Sequence, residues 1–243
     1  MESSSNKSIP NCSNCSTCSE SIFSAFHGKE LENLSSQKHY TLVKKGQYIF
    51  KEGSEPKGLF CIHDGNVKIT KISEDGKEQI VRLAKPGNFI GYRALLCNDI
   101  YQASAIALED THVCFYSKEM YLEMIHTKPE VAAQTISVLT RDLKFAENMM
   151  MNMAQKHVKG RIAEILLILE EFYGIYEKDR TINTTLKRED IGHLVGTTTE
   201  TSIRIISDMA KEGTIELVGK RIRIVNREKI MELSNRGEII SKK

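Results

Sequence analysis

Apolar positions along the chain change their period twice. From Tyr40 to Tyr116 they fall in short runs rich in Val, Ile and aromatic residues, punctuated by seven of the chain's 15 glycines (46, 53, 58, 65, 76, 87 and 91). Val67-Lys-Ile-Thr-Lys-Ile72 and Gln79-Ile-Val-Arg-Leu83 flank Ser73-Glu-Asp-Gly76, which predicts a β-hairpin. Leu59–His63 and Thr111–Tyr116 predict two further strands, and many short strands at regular spacing predict a compact antiparallel barrel or roll. Upstream, the spacing from Phe23 to about Leu34 predicts one short helix. Residues 1–21 are rich in Ser and Asn and poor in apolar residues, and taken alone they read as a mobile tail.

After Pro129 the period becomes helical. Ile136, Leu139, Leu143, Ala146, Met150 and Met153 are spaced 3-4-3-4-3, an a/d seam held over about three heptads. One reading is a helix packed on its own domain. The favoured one is a two-stranded parallel coiled coil between identical subunits, because Arg141, Asp142, Lys144 and Glu147 all lie off the seam. Val158 to Tyr173 then reads as a strongly apolar helix stopped by Gly174. Lys187–Val195 and Thr199–Lys211 read as two helices around Gly196, the second closed by Gly213. Thr214–Val218 and Arg221–Val225 alternate around Gly219-Lys220 as a hairpin. The expected class is α+β in four segments: a cysteine-containing segment 1–21, a roll 22–128, a dimerisation helix 129–157 and a winged helix-turn-helix 158–243.

Composition narrows the compartment more than the function. The chain has 243 residues, with 34 Lys+Arg against 32 Asp+Glu, a net charge of +2, and 40% hydrophobic residues. This balance excludes both a histone-like basic coat and an acidic disordered chain. The longest apolar run, Ile165–Leu169, is far short of the roughly 20 residues that cross a bilayer. Met1-Glu-Ser-Ser-Ser-Asn6 has neither a basic start nor an apolar stretch, so no secretory signal is expected. A cytoplasmic protein without a membrane partner follows, whose six cysteines are free or metal-bound rather than disulfide-paired.

The richest segment is Leu186 to Lys211. Gly196 supplies the positive φ of a tight turn and Gly192 a close helix–helix approach. Thr197 and Glu200 suit a capping box, with Thr198 an equally good N-cap. Ser202, Ile205, Ile206 and Met209 share one face of the second helix and should pack inward. Thr199, Glu200, Ile203, Arg204 and Ser207 share the other, an odd mixture for a merely solvated helix and one that suits a DNA major groove. Arg204 matches guanine O6 and N7, Glu200 matches cytosine N4, and Ile203 matches a thymine methyl. Over residues 215–229 five basic residues face two acidic ones, a basic wing for phosphates. The candidate DNA contacts are Thr198, Thr199, Glu200, Thr201, Ile203 and Arg204, with Lys220 and Arg221 on the wing. An ordinary helical hairpin is the competing reading.

These residues carry a resemblance. The chain from about residue 22 to 235 resembles bacterial transcription regulators of the Crp/Fnr family. Asp64-Gly-Asn-Val-Lys68 and Leu83-Ala-Lys-Pro-Gly-Asn-Phe-Ile-Gly91 match its effector domain. Asp190-Ile-Gly192, Val195-Gly196, Thr199-Glu-Thr201 and Arg204 match its DNA-reading signature, in which the Glu and Arg touch base edges. Ile203 stands where the two namesake regulators carry a small residue, so the half-site should differ from theirs. The resemblance implies a homodimer on a near-palindromic double-stranded DNA site, RNA polymerase as a further partner, and no catalysis. No Ser/His/Asp or Cys/His constellation and no phosphate-cradling glycine loop argues for an enzyme.

What the roll senses is a separate question. Family members that bind cyclic AMP hold its phosphate with an Arg-Ser pair; here Ala103-Ser104 stands at that place and Tyr92 follows Gly91, which argues against cyclic AMP. A buried phosphate without its arginine lacks several kcal/mol of compensation, unless Arg93 reaches it. Cys12-Ser-Asn-Cys15-Ser-Thr-Cys18 has the C-x2-C-x2-C spacing that places three thiolates around one cubane. The family's oxygen sensor draws its ligands from three N-terminal cysteines and one distant cysteine, which Cys114 resembles, although the gap after the second cysteine is shorter here. The resemblance thus implies a 4Fe-4S cluster on Cys12, Cys15, Cys18 and Cys114, and a response to oxygen or redox state. Alternatives are Zn²⁺ with Cys114 or His27 as fourth ligand, or free thiols. Cys61 and Cys97 read as core or helix residues, with Cys97 an alternative fourth ligand. Two functional alternatives remain at this point: a metal-free regulator controlled by an unknown small ligand in the roll, and an effector-binding or redox module without DNA.

Overall fold

The structure, a computed structural model, describes residues 11–18 and 21–234; the expected tail therefore falls partly outside the described residues. Its elements group into two units, one comprising residues 1–71 and 82–142, the other 72–81 and 143–243.

A helix α1 (Lys29–Gln37) leads into strands β1 (His39–Val43), β2 (Tyr48–Phe50), β3 (Gly58–Asp64), β4 (Val67–Ile72), β5 (Glu78–Ala84) and β6 (Phe89–Ile90), all in the first unit except the β4–β5 hairpin end, residues 72–81, which groups with the second. A short helix α2 (Tyr92–Cys97) precedes β7 (Ser104–Ala107), β8 (Thr111–Ser117) and helix α3 (Lys118–Thr127). The strands form two four-stranded sheets, ordered β1-β8-β3-β6 and β2-β7-β4-β5, with antiparallel pairing where the register is defined. This is the expected roll.

Alternation along the strands decides what faces what. Ile62 and Ile90, with Val67, Ile69, Ala84 and Ala105, form the core between the sheets, against which Phe60 packs. Leu59, Cys61, Phe89, Cys114 and Tyr116 point the other way, into a second core. That outer core is closed by Ile22, Phe23, Phe26, Leu34, Tyr121 and Met124, and by Cys12 and Cys18 of the N-terminal segment. Phe23 is its centre: its ring lies 5.1 Å from Phe89, 4.6 Å from Tyr116 and 5.9 Å from Phe26.

Two expectations fail in this region. The helix expected from Phe23 to Leu34 is broken into a 3-10 turn over Ile22–Ala25 and α1, with the chain turning between them at Gly28. Nor is the cysteine segment a tail over residues 11–18. It forms a 3-10 turn at Cys12–Asn14 and buries Cys12 and Cys18. A segment that is mostly Ser, Asn and Thr buries little apolar area of its own, so its period carried no hint of docking; the anchoring atoms are sulfur.

Helix α4 (Pro129–Gln155) follows, the first part of it in one unit and the remainder in the other. Val131 is buried in the outer core, and Val138 and Leu139 pack against it. Ile136, Leu143, Ala146, Met150 and Met153 are exposed, Leu143 at 60%. No helix among the described residues is long and apolar enough to cross a membrane.

The second unit holds α5 (Val158–Tyr173), capped at Gly174, then α6 (Arg188–Val195), α7 (Thr199–Lys211), a hairpin of β9 (Ile215–Val218) and β10 (Arg221–Ile224), and a final helix α8 (Arg227–Leu233). Ile162, Leu166, Leu169, Ile191, Leu194, Ile206, Met209 and Ile230 are all buried. The strands pair as Arg221 with Val218 and Ile224 with Ile215, so Gly219-Lys220 is a two-residue turn, as its sequence predicts. Helix α8 was not anticipated.

Because Phe23 is 1% exposed and touches three rings, Phe23→Ala should cost about 3–5 kcal/mol of the first unit's stability. Denaturant unfolding monitored in the near ultraviolet measures it.

Candidate cysteine centre and nucleic-acid interface

The outer core brings five of the six cysteines to one face of the β1-β8-β3-β6 sheet. Cys12, Cys18, Cys61 and Cys114 are buried in it and Cys15 packs against its edge; all are free thiols. Strand alternation turns Cys114 and Tyr116 toward this face, away from Phe115, which packs on Phe60. Cys97 ends α2 in solvent and takes no part. His27, the expected alternative ligand, is also exposed.

The thiols are not equivalent. Cys12 N–H donates to Ser35 Oγ at 2.7 Å, its Sγ lies 3.7 Å from Tyr116 OH, and Lys38 Nζ donates to it at 3.2 Å. A hydrogen bond from the Cys18 thiol, helped by Ser35, Tyr116 and Lys38, holds Cys12 well below the ordinary thiol range despite its burial. Cys18, as the donor in that bond and itself buried, is held far above it. Burial raises Cys114 to about 11 and drives Cys61 up as well. Cys15, half-buried, has its Sγ 3.0 Å from Thr17 Oγ1 and 3.4 Å from His63 Nδ1. The site is thus a thiol cluster with one favoured thiolate beside one lysine.

Spacing bears on what such a cluster can hold. Tetrahedral Zn²⁺ with Zn–S about 2.3 Å needs sulfurs about 3.8 Å apart. Among the described residues no three cysteine sulfurs lie within 4.8 Å of one another. A polynuclear cluster spreads its thiolates wider, since each binds a different iron. The group that does meet that limit is Glu78, Asp190 and His193 in the second unit. It is a hydrogen-bonded cluster: His193 Nδ1 lies 3.1 Å from Glu78 Oε1, and Asp190 Oδ2 accepts from Lys187 N–H at 2.9 Å.

Lys38 and His63 were not singled out by the sequence, and Cys61, read as a core or helix residue, lies in the core. Lys38 stands in a polar stretch just before β1, and nothing local marks it. Cys61 could have been found from strand parity, since it alternates with Phe60 and Ile62.

The position where cyclic-AMP binders carry their arginine holds Ala103, packed against the inter-sheet core, and Ser104 Oγ accepts from Glu52 N–H at 3.0 Å. Arg93 is exposed. Tyr92 donates to Asp142, and Arg82 binds both, 3.1 Å from each.

In the second unit the helix pair is built as its sequence requires. A Cβ on Gly192 would stand 3.2 Å from Ser202 Cβ and 3.3 Å from Thr197 O, so the two helices meet backbone to backbone there. Gly196 has φ +65°. Ser202 Oγ donates to Arg188 O at 2.7 Å, pinning α7 to the start of α6. Thr198, not Thr197, is the N-cap, accepting from Thr201 N–H at 3.2 Å. Ser202, Ile205, Ile206 and Met209 are buried. Glu200, Ile203 and Arg204 are exposed and Thr199, Thr201 and Ser207 half-buried. Glu200 lies below the usual carboxylate range, held by the N–H at the helix start and by Thr198.

The wing departs from its expected charge. Arg221 lies 3.8 Å from Asp179 and stacks over Tyr176. Arg223 pairs with Glu216, Arg227 with Glu170, and Lys229 with Glu212 at 3.7 Å. Asp179 and Glu170 thus offset part of the counted surplus, while Glu212 is shared with Lys159 at 2.7 Å, and Lys220 is exposed at the turn. Counting along the chain missed them because Asp179, Glu170 and Glu212 approach from other elements. Exposed pairs of this kind are worth roughly 0–1 kcal/mol, so phosphate oxygens compete with them readily.

A roll, a long helix with an exposed apolar stripe, and a winged helix-turn-helix together define a DNA-binding transcription regulator. Residues 41–128 match the cyclic nucleotide-binding domain and residues 160–233 the Crp-like helix-turn-helix domain. The chain is 30% identical to the fumarate and nitrate reduction regulatory protein of Vibrio cholerae, over 79% of this chain and 77% of that protein. It is 29% identical to the anaerobic regulatory protein of Aggregatibacter actinomycetemcomitans, over 92% and 86% of the two chains. In fold it resembles FixK2 from Bradyrhizobium japonicum, with a TM-score of 0.73 and 23% identity over 81% of this chain and 96% of that one. The chain belongs to the Crp/Fnr family of transcription regulators.

Proposed function

We propose that this regulator works as a homodimer and responds to oxygen or redox state through an iron–sulfur cluster held by Cys12, Cys15, Cys18 and Cys114. The convergence of three N-terminal cysteines and one strand cysteine on a single buried core carries the reading. A polar segment is held there by its sulfurs, next to a lysine that offsets thiolate charge. The relatives' names, an anaerobic regulator and a fumarate and nitrate reduction regulator, agree with it. When bound, such a cluster supplies an oxygen- and nitric-oxide-sensitive centre whose loss releases its thiolates.

The chain's own residues supply the rest. Cys12 and Cys18 hold the segment that leads to Phe23, and Phe23, Tyr121, Met124 and Val131 share one core. Freeing the sulfurs weakens the packing on which the first turns of α4 rest. The exposed stripe Ile136, Leu143, Ala146, Met150 and Met153, together with half-buried Leu139, pairs with the same stripe of a second copy. A shift in that seam re-aims the two α7 helices, which enter successive major grooves of a near-palindrome about one helical turn (~34 Å) apart. There Arg204, Glu200 and Ile203 read base edges, Thr198, Thr199 and Thr201 approach the backbone at the helix start, and Lys220 and Arg221 meet phosphates. RNA polymerase is the partner on the promoter.

Protein purified without oxygen should be coloured, contain iron and sulfide, sediment as a dimer, and bind a DNA site selected from random sequence. Air exposure should bleach it and change its DNA affinity. A colourless, iron-free anaerobic preparation contradicts the sensor reading.

Arg204→Ala should cost about 1–3 kcal/mol on the selected site and relax preference at one base pair. A uniform loss across all sequences in a competition gel shift would mean that Arg204 touches only phosphate.

A further inference from the structure

The proposed ligand set leaves one buried thiol unused. Cys61 lies directly opposite Cys114 in the antiparallel register of β3 and β8. Paired residues in such a ladder share a face, with Cβ atoms about 4.5–5.5 Å apart. Both side chains therefore enter the outer core, where Cys61 is 6% exposed and Cys114 4%. A lone buried cysteine behaves as a small hydrophobe and calls for no role. Cys61 is not alone: Cys12, Cys18 and Cys114 are buried in the same core and Cys15 packs against it.

Cys15 has the opposite setting. It is half-buried at the rim, with its sulfur on Thr17 and His63. Cys12, Cys18, Cys61 and Cys114 are the four cysteines wholly inside the core.

We propose that Cys61 is a thiolate donor of this centre, so that Cys12, Cys18 and Cys114 are shared by two four-thiol sets, an outer one completed by Cys15 and an inner one completed by Cys61. The outer set is open to solvent through Cys15. The inner set closes the centre against the face of the sheet and retains the metal when Cys15 turns away. The ligand class is unchanged, a polynuclear iron centre on four thiolates, and the inference rests on the cluster reading above. Cys61 adds a donor carried on a rigid strand instead of on the N-terminal segment.

The test uses the full-length chain, reconstituted without oxygen with ferrous iron and sulfide. Bound iron and sulfide per chain and the visible absorption spectrum are compared for wild type, Cys15→Ser, Cys61→Ala and Cys15→Ser/Cys61→Ala. Cys97→Ser serves as a control, and melting curves of the metal-free proteins check folding. The proposal expects Cys15→Ser to keep most of its iron with a shifted spectrum and the double variant to lose nearly all of it. It is overturned if Cys15→Ser alone empties the centre, or if the double variant keeps its iron. Cys61→Ser repeats the comparison if the alanine variant melts early. Wild type without iron would overturn the cluster reading itself, whereas wild type with iron and an empty Cys15→Ser variant overturns only the role of Cys61.

Discussion

Lys38 Nζ donates to Cys12 Sγ at 3.2 Å, with both residues almost wholly out of water, and this contact joins the N-terminal segment to the start of the roll. Burying a polar pair is costly unless its remaining groups are satisfied. Here they are: Ser35 accepts from the Cys12 backbone, Tyr116 and Cys18 approach its sulfur, and Asn11 accepts from Ser35. These polar groups require the N-terminal segment to lie on the sheet in one place. Once it lies there, the next residues, Ile22 and Phe23, have a fixed site to fill on Phe89 and Tyr116.

The same constraint reaches the start of α4. The core that receives the cysteines also receives Val131 and borders Val138 and Leu139, so the start of α4 is supported by whatever holds the segment down. Four residues on, the helix carries exposed Leu143, Ala146, Met150 and Met153, the stripe proposed to pair with a second copy. The thiol cluster and the first turns of α4 thus share one core, through Val131 and its neighbours Val138 and Leu139.

Much of this was legible in the sequence. The helix-turn-helix declared itself because glycine, cap and face requirements all fall within 26 residues, and Gly192, Gly196, Thr198 and Ser202 each do in the structure what local chemistry demands. The roll was legible from period and glycine punctuation. Three things were not. The docking of residues 11–18 escaped because sulfur anchors it instead of apolar area. The role of Lys38 escaped because no local pattern separates one polar-stretch lysine from another. The partly offset charge of the wing escaped because Asp179 and Glu170 reach it from other elements. Cys61 lies between these cases: strand parity places it on the cysteine face, but only the β3–β8 register sets it beside Cys114.

The central claim is that thiolate ligation holds the N-terminal segment on the roll. Amide hydrogen exchange over residues 12–18 and 22–26 tests it most directly, comparing anaerobic, iron-loaded protein with the same protein after air exposure. The account predicts strong protection in the loaded state and a marked loss of it after exposure, extending into the first turns of α4, while residues 188–211 keep theirs. Equal protection in both states, or none in either, would contradict it.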